Sequence, residues 1–168
     1  LGTYTIEPMA LRAGALFAHS HALFAVTHLS ALARLLPERD PHEIVFDSLE
    51  TITAQLHEPA LCAALIVRFE LLMLTELGFG LDLDTCASTG SASDLIYVSP
   101  KSGRAVSRDA GAPWRERLLS LPEFVTGDVE HVDARDIAEG FALTAFFLSR
   151  HVLEPRGIAM PDARAHFI

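Results

Sequence analysis

Residues 59–78 read Pro59-Ala60-Leu61-Cys62-Ala63-Ala64-Leu65-Ile66-Val67-Arg68-Phe69-Glu70-Leu71-Leu72-Met73-Leu74-Thr75-Glu76-Leu77-Gly78. Proline suits the first position of a helix, where its missing N–H is not needed. Glycine suits the residue just past the last turn, where the backbone goes left-handed. Between them Leu61, Leu65, Ile66, Phe69, Leu72, Met73 and Leu77 recur at helical spacing and leave little polar surface. A helix apolar nearly all round belongs at the centre of a bundle. Arg68, Glu70 and Glu76 must then share one polar edge or pair with neighbours. The fold class that follows is mainly α, a helical bundle.

Upstream, residues 20–36 carry Leu23, Phe24, Val26, Leu29, Leu32, Leu35 and Leu36 on more than one helical face. Asp40-Pro41-His42-Glu43 predicts a helix start, with an acceptor at N-cap, proline at N1 and a carboxylate at N3. The helix that follows is expected to bury Ile44, Val45, Leu49, Ile52 and Leu56. A weaker helical pattern runs from Pro8 to about Ala18, and residues 1–7 read as a short extended lead-in. The chain opens on Leu1 rather than methionine, which reads as the C-terminal piece of something longer. Downstream, Pro113–Leu121 reads as a short helix with the sole tryptophan, Trp114. Asp133 is expected to cap a last helix through His151, with Ile137, Phe141, Ala145, Leu148 and Val152 inward and Pro155 and Gly157 stopping it.

Between these helical parts, Gly80 to Gly111 is rich in Gly, Ser, Asp and Thr. Leu95–Val98 and Arg104–Ser107 are strand-like and are joined by Pro100–Gly103, which predicts a hairpin. The segment has the outline of a four-cysteine metal ribbon. Cys86-Ala87-Ser88-Thr89 and Ser107-Arg108-Asp109-Ala110 stand where C-x-x-C pairs would be, and the turn glycines Gly90 and Gly103 are kept. We therefore expect one domain in three parts: a helical part over 1–78, a degenerate zinc-ribbon-like insertion over 79–112, and a second helical part over 113–168.

The 168 residues are half hydrophobic and sum to a net charge of −9, so a sizeable core is expected and a general affinity for phosphate backbones is not. Only Lys101–Arg117 is locally basic, with Lys101, Arg104, Arg108, Arg115 and Arg117 against Asp109 and Glu116. Two cysteines make no disulfide framework, which fits a reducing cytosol, and Cys62 reads as a core residue. No signal peptide is visible and no apolar run reaches the roughly 18 residues that span a bilayer. His19 and His21 form H-x-H with His28 beyond, but no matching Cys or Asp and no H-E-x-x-H accompanies them. No histidine lies within 28 residues of Cys86, which leaves that thiol without a nearby base in sequence. Asp82 and Asp84 are spaced as an acid pair, yet such residues more often form turns. Nucleotide-loop and serine-hydrolase motifs are missing too, so no catalytic residue is expected.

Arg68-Phe69-Glu70-Leu71-Leu72-Met73-Leu74-Thr75-Glu76-Leu77-Gly78-Phe79-Gly80, then Cys86, then Tyr97-Val98-Ser99-Pro100, resembles the C-terminal region of the bacterial DNA repair protein RecO family. Leu1-Gly2-Thr3-Tyr4-Thr5 and Pro37-Glu38-Arg39-Asp40-Pro41-His42 are similar as well. The resemblance implies a DNA-binding OB-fold ahead of this part and a helical domain with an inserted ribbon. It also implies a non-enzymatic role in the cytoplasm, near the nucleoid. With RecR, and often RecF, such proteins load RecA onto single strands coated by the single-strand-binding protein SSB, and they anneal strands. The helical domain would hold the acidic, apolar SSB tail. Such a tail needs a guanidinium beside an apolar groove, and Arg68 with Leu71 is the candidate. Lys101, Arg104 and Arg108 are candidates for an auxiliary DNA or partner contact. Of the family's four cysteines only Cys86 matches, so neither zinc nor another cofactor is expected. The alternative is a small metal-binding or redox-sensing domain built on Cys86 and the histidines.

Overall fold

The computed structural model describes residues 5, 13–129 and 132–167. In chain order the elements are α1 (Ala13–Ala18), α2 (Ser20–Ala33), α3 (Glu43–Ala54), α4 (Pro59–Glu76), β1 (Leu95–Val98), β2 (Ala105–Ser107), α5 (Arg108–Gly111), β3 (Leu119–Ser120) and α6 (Ala134–Phe147). Single 3₁₀ segments occupy Ala112–Arg117, Glu123–Val125, Glu154–Arg156 and Asp162–Phe167, and a π-helical segment, Leu148–Leu153, continues α6. The protein is mainly helical, as the apolar periodicity implies, with a small antiparallel sheet of three strands. Of the extended lead-in over 1–7 only Thr5 is described, and the start of the helix read from Pro8 also lies outside the described residues.

α4 is the central helix. Cys62, Ala64, Ile66, Val67, Phe69, Met73 and Leu74 on it are closed to solvent, and α2, α3 and α6 all pack against it. Its end follows from Gly78, whose φ is +86°. The Phe79 N–H donates to Leu74 O at 2.7 Å and the Gly78 N–H to Thr75 O at 2.9 Å. These paired bonds close a helix on a left-handed residue and satisfy two of its last carbonyls.

α3 departs from the sequence expectation. It begins at Glu43 with His42 at the N-cap and no side-chain cap. Asp40 and Pro41 stay in the loop, because the His42 ring is drawn to Glu76 on α4, with Nδ1 2.6 Å from Oε2. Val45, Ile52 and the following Leu56 are buried and Leu49 packs on the core, whereas Ile44 is 59% exposed. α6 is capped as expected: the Asp133 carboxylate accepts from the Asp136 N–H at 2.8 Å and the Asp136 carboxylate reaches back. Ile137, Phe141, Leu148 and Val152 are buried with Leu143, Thr144 and Phe147, and Gly157 ends the segment at φ +64°.

The sheet has the order β2-β1-β3. β1 and β2 form the expected hairpin, with Val98 opposite Ala105, and Gly103 turns it at φ +66° by donating to Ser99 O at 2.9 Å. The stretch 113–121 is not one helix. It is a 3₁₀ segment followed by β3, which pairs Tyr97 with Ser120 and Val98 with Leu119. β1 would otherwise leave backbone N–H and C=O groups unpaired along that edge, and β3 satisfies them. Among the described residues no helix is long and apolar enough to cross a membrane.

Candidate functional site

α4 carries three ionisable side chains, Arg68, Glu70 and Glu76, with three different sets of partners. Arg68 donates from Nε to Phe124 O at 2.8 Å, and from Nη2 to the same oxygen at 2.6 Å and to Gly127 O. One guanidinium thus ties the 3₁₀ segment at Glu123–Val125 to the central helix, and its Nη1 edge makes no bond among the described residues. Leu71, one turn on, is half-buried against the core. Leu61, one heptad before Arg68 and so on the same face, lines a mainly apolar depression with Ala60, Val129 and Val132, with Glu58 at its edge. The structure brings a guanidinium and apolar surface to one side of α4. Glu76 binds His42, as described above.

Glu70 does not lie on an exposed edge at all. It is fully buried, with Oε1 2.7 Å from His28 Nε2 and 2.7 Å from Arg164 Nε, and Oε2 3.0 Å from Arg164 Nη2. Thr144 donates its hydroxyl to Oε2, and Arg164 also donates to Phe141 O at 2.5 Å. Burial alone would push the Glu70 carboxyl up. The hydrogen bonds and charges of His28 and Arg164 outweigh it and hold the carboxyl below its usual range. Sequence reasoning missed this cluster, although a glutamate inside an apolar helix demands a partner. Nothing local to Glu70 points to Arg164, 94 residues away.

On the hairpin, the three basic candidates differ. Arg104 pairs with Asp82 at 2.9 Å and Arg108 with Asp94 at 3.1 Å, each pair half-exposed. Surface pairs of this kind hold by only about 0–1 kcal/mol, so a phosphate can replace the carboxylate. Lys101, exposed at the turn, has no ion pair among the described residues.

Beneath the hairpin lies Cys86, 1% exposed but outside the main core. Its N–H donates to Ser91 O at 2.7 Å and its carbonyl accepts from Gly90 at 2.8 Å, which folds residues 86–91 into a tight turn. The sulfur accepts from the Ser107 hydroxyl at 3.4 Å and the Ser107 N–H at 3.3 Å. The hydroxyls of Ser107 and Thr89, with the N–H groups of Ser107 and Ser88, hold the thiol down at about 6 against an ordinary value near 9. Burial has little opposing effect, because the thiol is covered by its own turn rather than by the core. Cys62 is the contrast: burial in α4 pushes it up to about 11. One thiol with the hydroxyls of Ser107 and Thr89 is a donor set that does not fit zinc.

His19 and His21 lie ring against ring with centres 5.4 Å apart. His21 Nε2 lies 2.7 Å from Leu56 O, His166 stacks on Phe24 with ring centres 3.7 Å apart, and His151 lies against Phe79 and Phe147. Among the described residues no group of three or more His, Cys, Asp or Glu side chains is placed to hold a metal ion.

Residues 19–157 match the model of the family described as recombination protein O C terminal. The chain is 56% identical over 171 aligned residues to a DNA repair protein RecO of Afipia carboxidovorans, which covers all of this chain and 69% of that protein. It is 57% identical to a RecO of a Bradyrhizobium species, over all of this chain and 68% of the relative. The same comparison with the RecO of Rhizobium johnstonii gives 54% over all of this chain and 66% of the relative. No solved structure matches the chain.

Proposed function

The chain belongs to the recombination protein O family of DNA repair proteins, and from that premise we propose that it serves as the helical C-terminal part of a RecO-type recombination mediator. Its role is binding rather than catalysis: with RecR and RecF it aids RecA loading on SSB-coated single strands and promotes annealing, in the cytoplasm at the nucleoid. Most DNA contact falls to a further OB-fold domain, and the hairpin adds an auxiliary contact. The observation that carries this proposal is the family match over residues 19–157, joined by relatives of 53–57% identity.

The SSB tail is assigned to the Arg68 side of α4. In support, the Nη1 edge of Arg68 makes no bond among the described residues, and a depression lined by Glu58, Ala60, Leu61, Val129 and Val132 lies one heptad away on the same face. A peptide ending in a free carboxylate beside an apolar residue meets both needs there. The experiment is a titration of a fluorescent SSB-tail peptide. Arg68→Ala should weaken binding several-fold, with roughly 1–2 kcal/mol lost for a charge-assisted pair. Unchanged affinity would remove Arg68 from the tail site. A urea melt of the variant is the control, because the same guanidinium ties down Phe124 and Gly127.

A second reading, a redox-responsive domain, is favoured by the lowered Cys86 thiol. Thiolate titration with an aromatic disulfide separates the two: rapid reaction of native protein favours the redox domain, and reaction only after unfolding removes it.

A further inference from the structure

The turn of the hairpin does not stand clear of the helices. Phe79, Leu81, Lys101, Gly103, Phe147 and His151 line an open cleft between the turn and the end of α6. The cleft measures about 190 Å³, below the 300–1,000 Å³ typical of a site that swallows a whole small molecule. It suits one flat group of a longer ligand. Its wall is a row of rings: His151 stacks on the buried Phe147 with centres 6.0 Å apart and planes at 11°, and on Phe79 at 5.5 Å and 19°. The π-helical segment Leu148–Leu153 carries His151 to that position, and such departures from α geometry are frequent at binding sites. Phe79 is 38% exposed, so the outer end of the row is open. Lys101, with no ion pair among the described residues, stands on the rim, and the half-exposed pair of Arg104 with Asp82, which bridges to it from before the hairpin, lies beside the turn.

We infer that this cleft takes one unstacked base of a single-stranded nucleic acid on the Phe79–His151 rings, with the adjoining phosphate on Lys101. A base offers the flat π-face that continues the row, and its backbone offers an anion to Lys101. An acidic peptide satisfies the cation but gains little from parallel rings. The inference rests on the proposal that the hairpin touches DNA, and it names what the hairpin holds.

The test is fluorescence anisotropy at low salt with two labelled oligomers of equal length, an oligo-dT and an abasic strand with the same phosphates. Phe79→Ala should weaken oligo-dT roughly tenfold and leave the abasic strand unchanged. Phe79→Leu keeps an apolar contact at the end of α4 but removes the ring, and should behave like Phe79→Ala. Lys101→Gln should weaken both strands and reduce the salt slope by about 0.7, the value for one single-strand phosphate. If Lys101 moves the slope while neither Phe79 variant separates the two strands, the base site is wrong and the hairpin's DNA contact stands. If the wild-type chain binds neither strand, both fall. Displacement of oligo-dT by an acidic peptide, with the same loss in both Phe79 variants, would assign the cleft to a peptide and overturn the inference.

Discussion

Cys86 shows how a thiol behaves when hydroxyl and N–H donors surround it. Its sulfur sits among the hydroxyl and N–H donors of Ser107 and the hydroxyl of Thr89, which favour the thiolate. With a folded value of about 6 against about 9 ordinarily, unfolding takes up a proton between those limits. The contribution to stability is absent below about pH 6, grows as pH rises, and is complete only above about pH 9. Cys86→Ser has no titrating thiol. The gap in urea midpoint between wild type and this variant should widen from about pH 6 to about pH 8.5. A constant gap would mean that the thiol is not lowered. At this scale the sequence was partly legible. The lone cysteine could be read directly, but Ser107, a donor to its sulfur from 21 residues away, is brought there only by the fold. Arg68 is similar: its place on α4 follows from spacing, whereas its carbonyl partners at Phe124 and Gly127 do not.

Among the elements, α4 and α6 were readable because each is long, periodic and punctuated by proline, glycine or a capping aspartate, whereas α2 was readable from its apolar spacing alone. β3 was not, since two residues give no alternation, and the π-helical segment has no sequence signal at all. α3 was placed too early because a capping pattern competes with a tertiary contact, and the His42–Glu76 bond won. The contact of α4 with α6 also rests on something periodicity does not reveal. A Cβ at Gly140 would lie 2.7 Å from Phe124 Cζ and 3.1 Å from Val67 Cγ1. Phe124 is 3% exposed and Arg68 holds its carbonyl, so the ring has little room to retreat. Gly140→Ala gains about 1 kcal/mol of helix propensity but overpacks this contact by about 1–3 kcal/mol. The expected net result is a loss of about 1 kcal/mol in urea unfolding, and a stabilised variant would show that the helices can part freely.

Across the whole molecule, the Glu70 cluster joins α2, α4, α6 and the 3₁₀ segment Asp162–Phe167 through one buried carboxylate. Arg164→Met strips the guanidinium from a carboxylate that has no access to water, and should cost about 3–5 kcal/mol in equilibrium unfolding. Adding Glu70→Gln removes the stranded charge, so the double variant should be more stable than Arg164→Met alone. If the two losses simply add, the pair is not coupled. Because Glu70 is held below the usual carboxylate range, the cluster's contribution persists above that range and is lost only as pH falls through the lowered value. The order of synthesis gives this geometry a temporal side. His28 and Glu70 leave the ribosome first, and Arg164 follows 94 residues after Glu70, roughly 5–20 s later at ordinary elongation rates. During that interval the central helix has a carboxylate but no guanidinium for it, so a dry core cannot close around α4. The nascent chain must keep that side wet or protonated until its late arginine arrives.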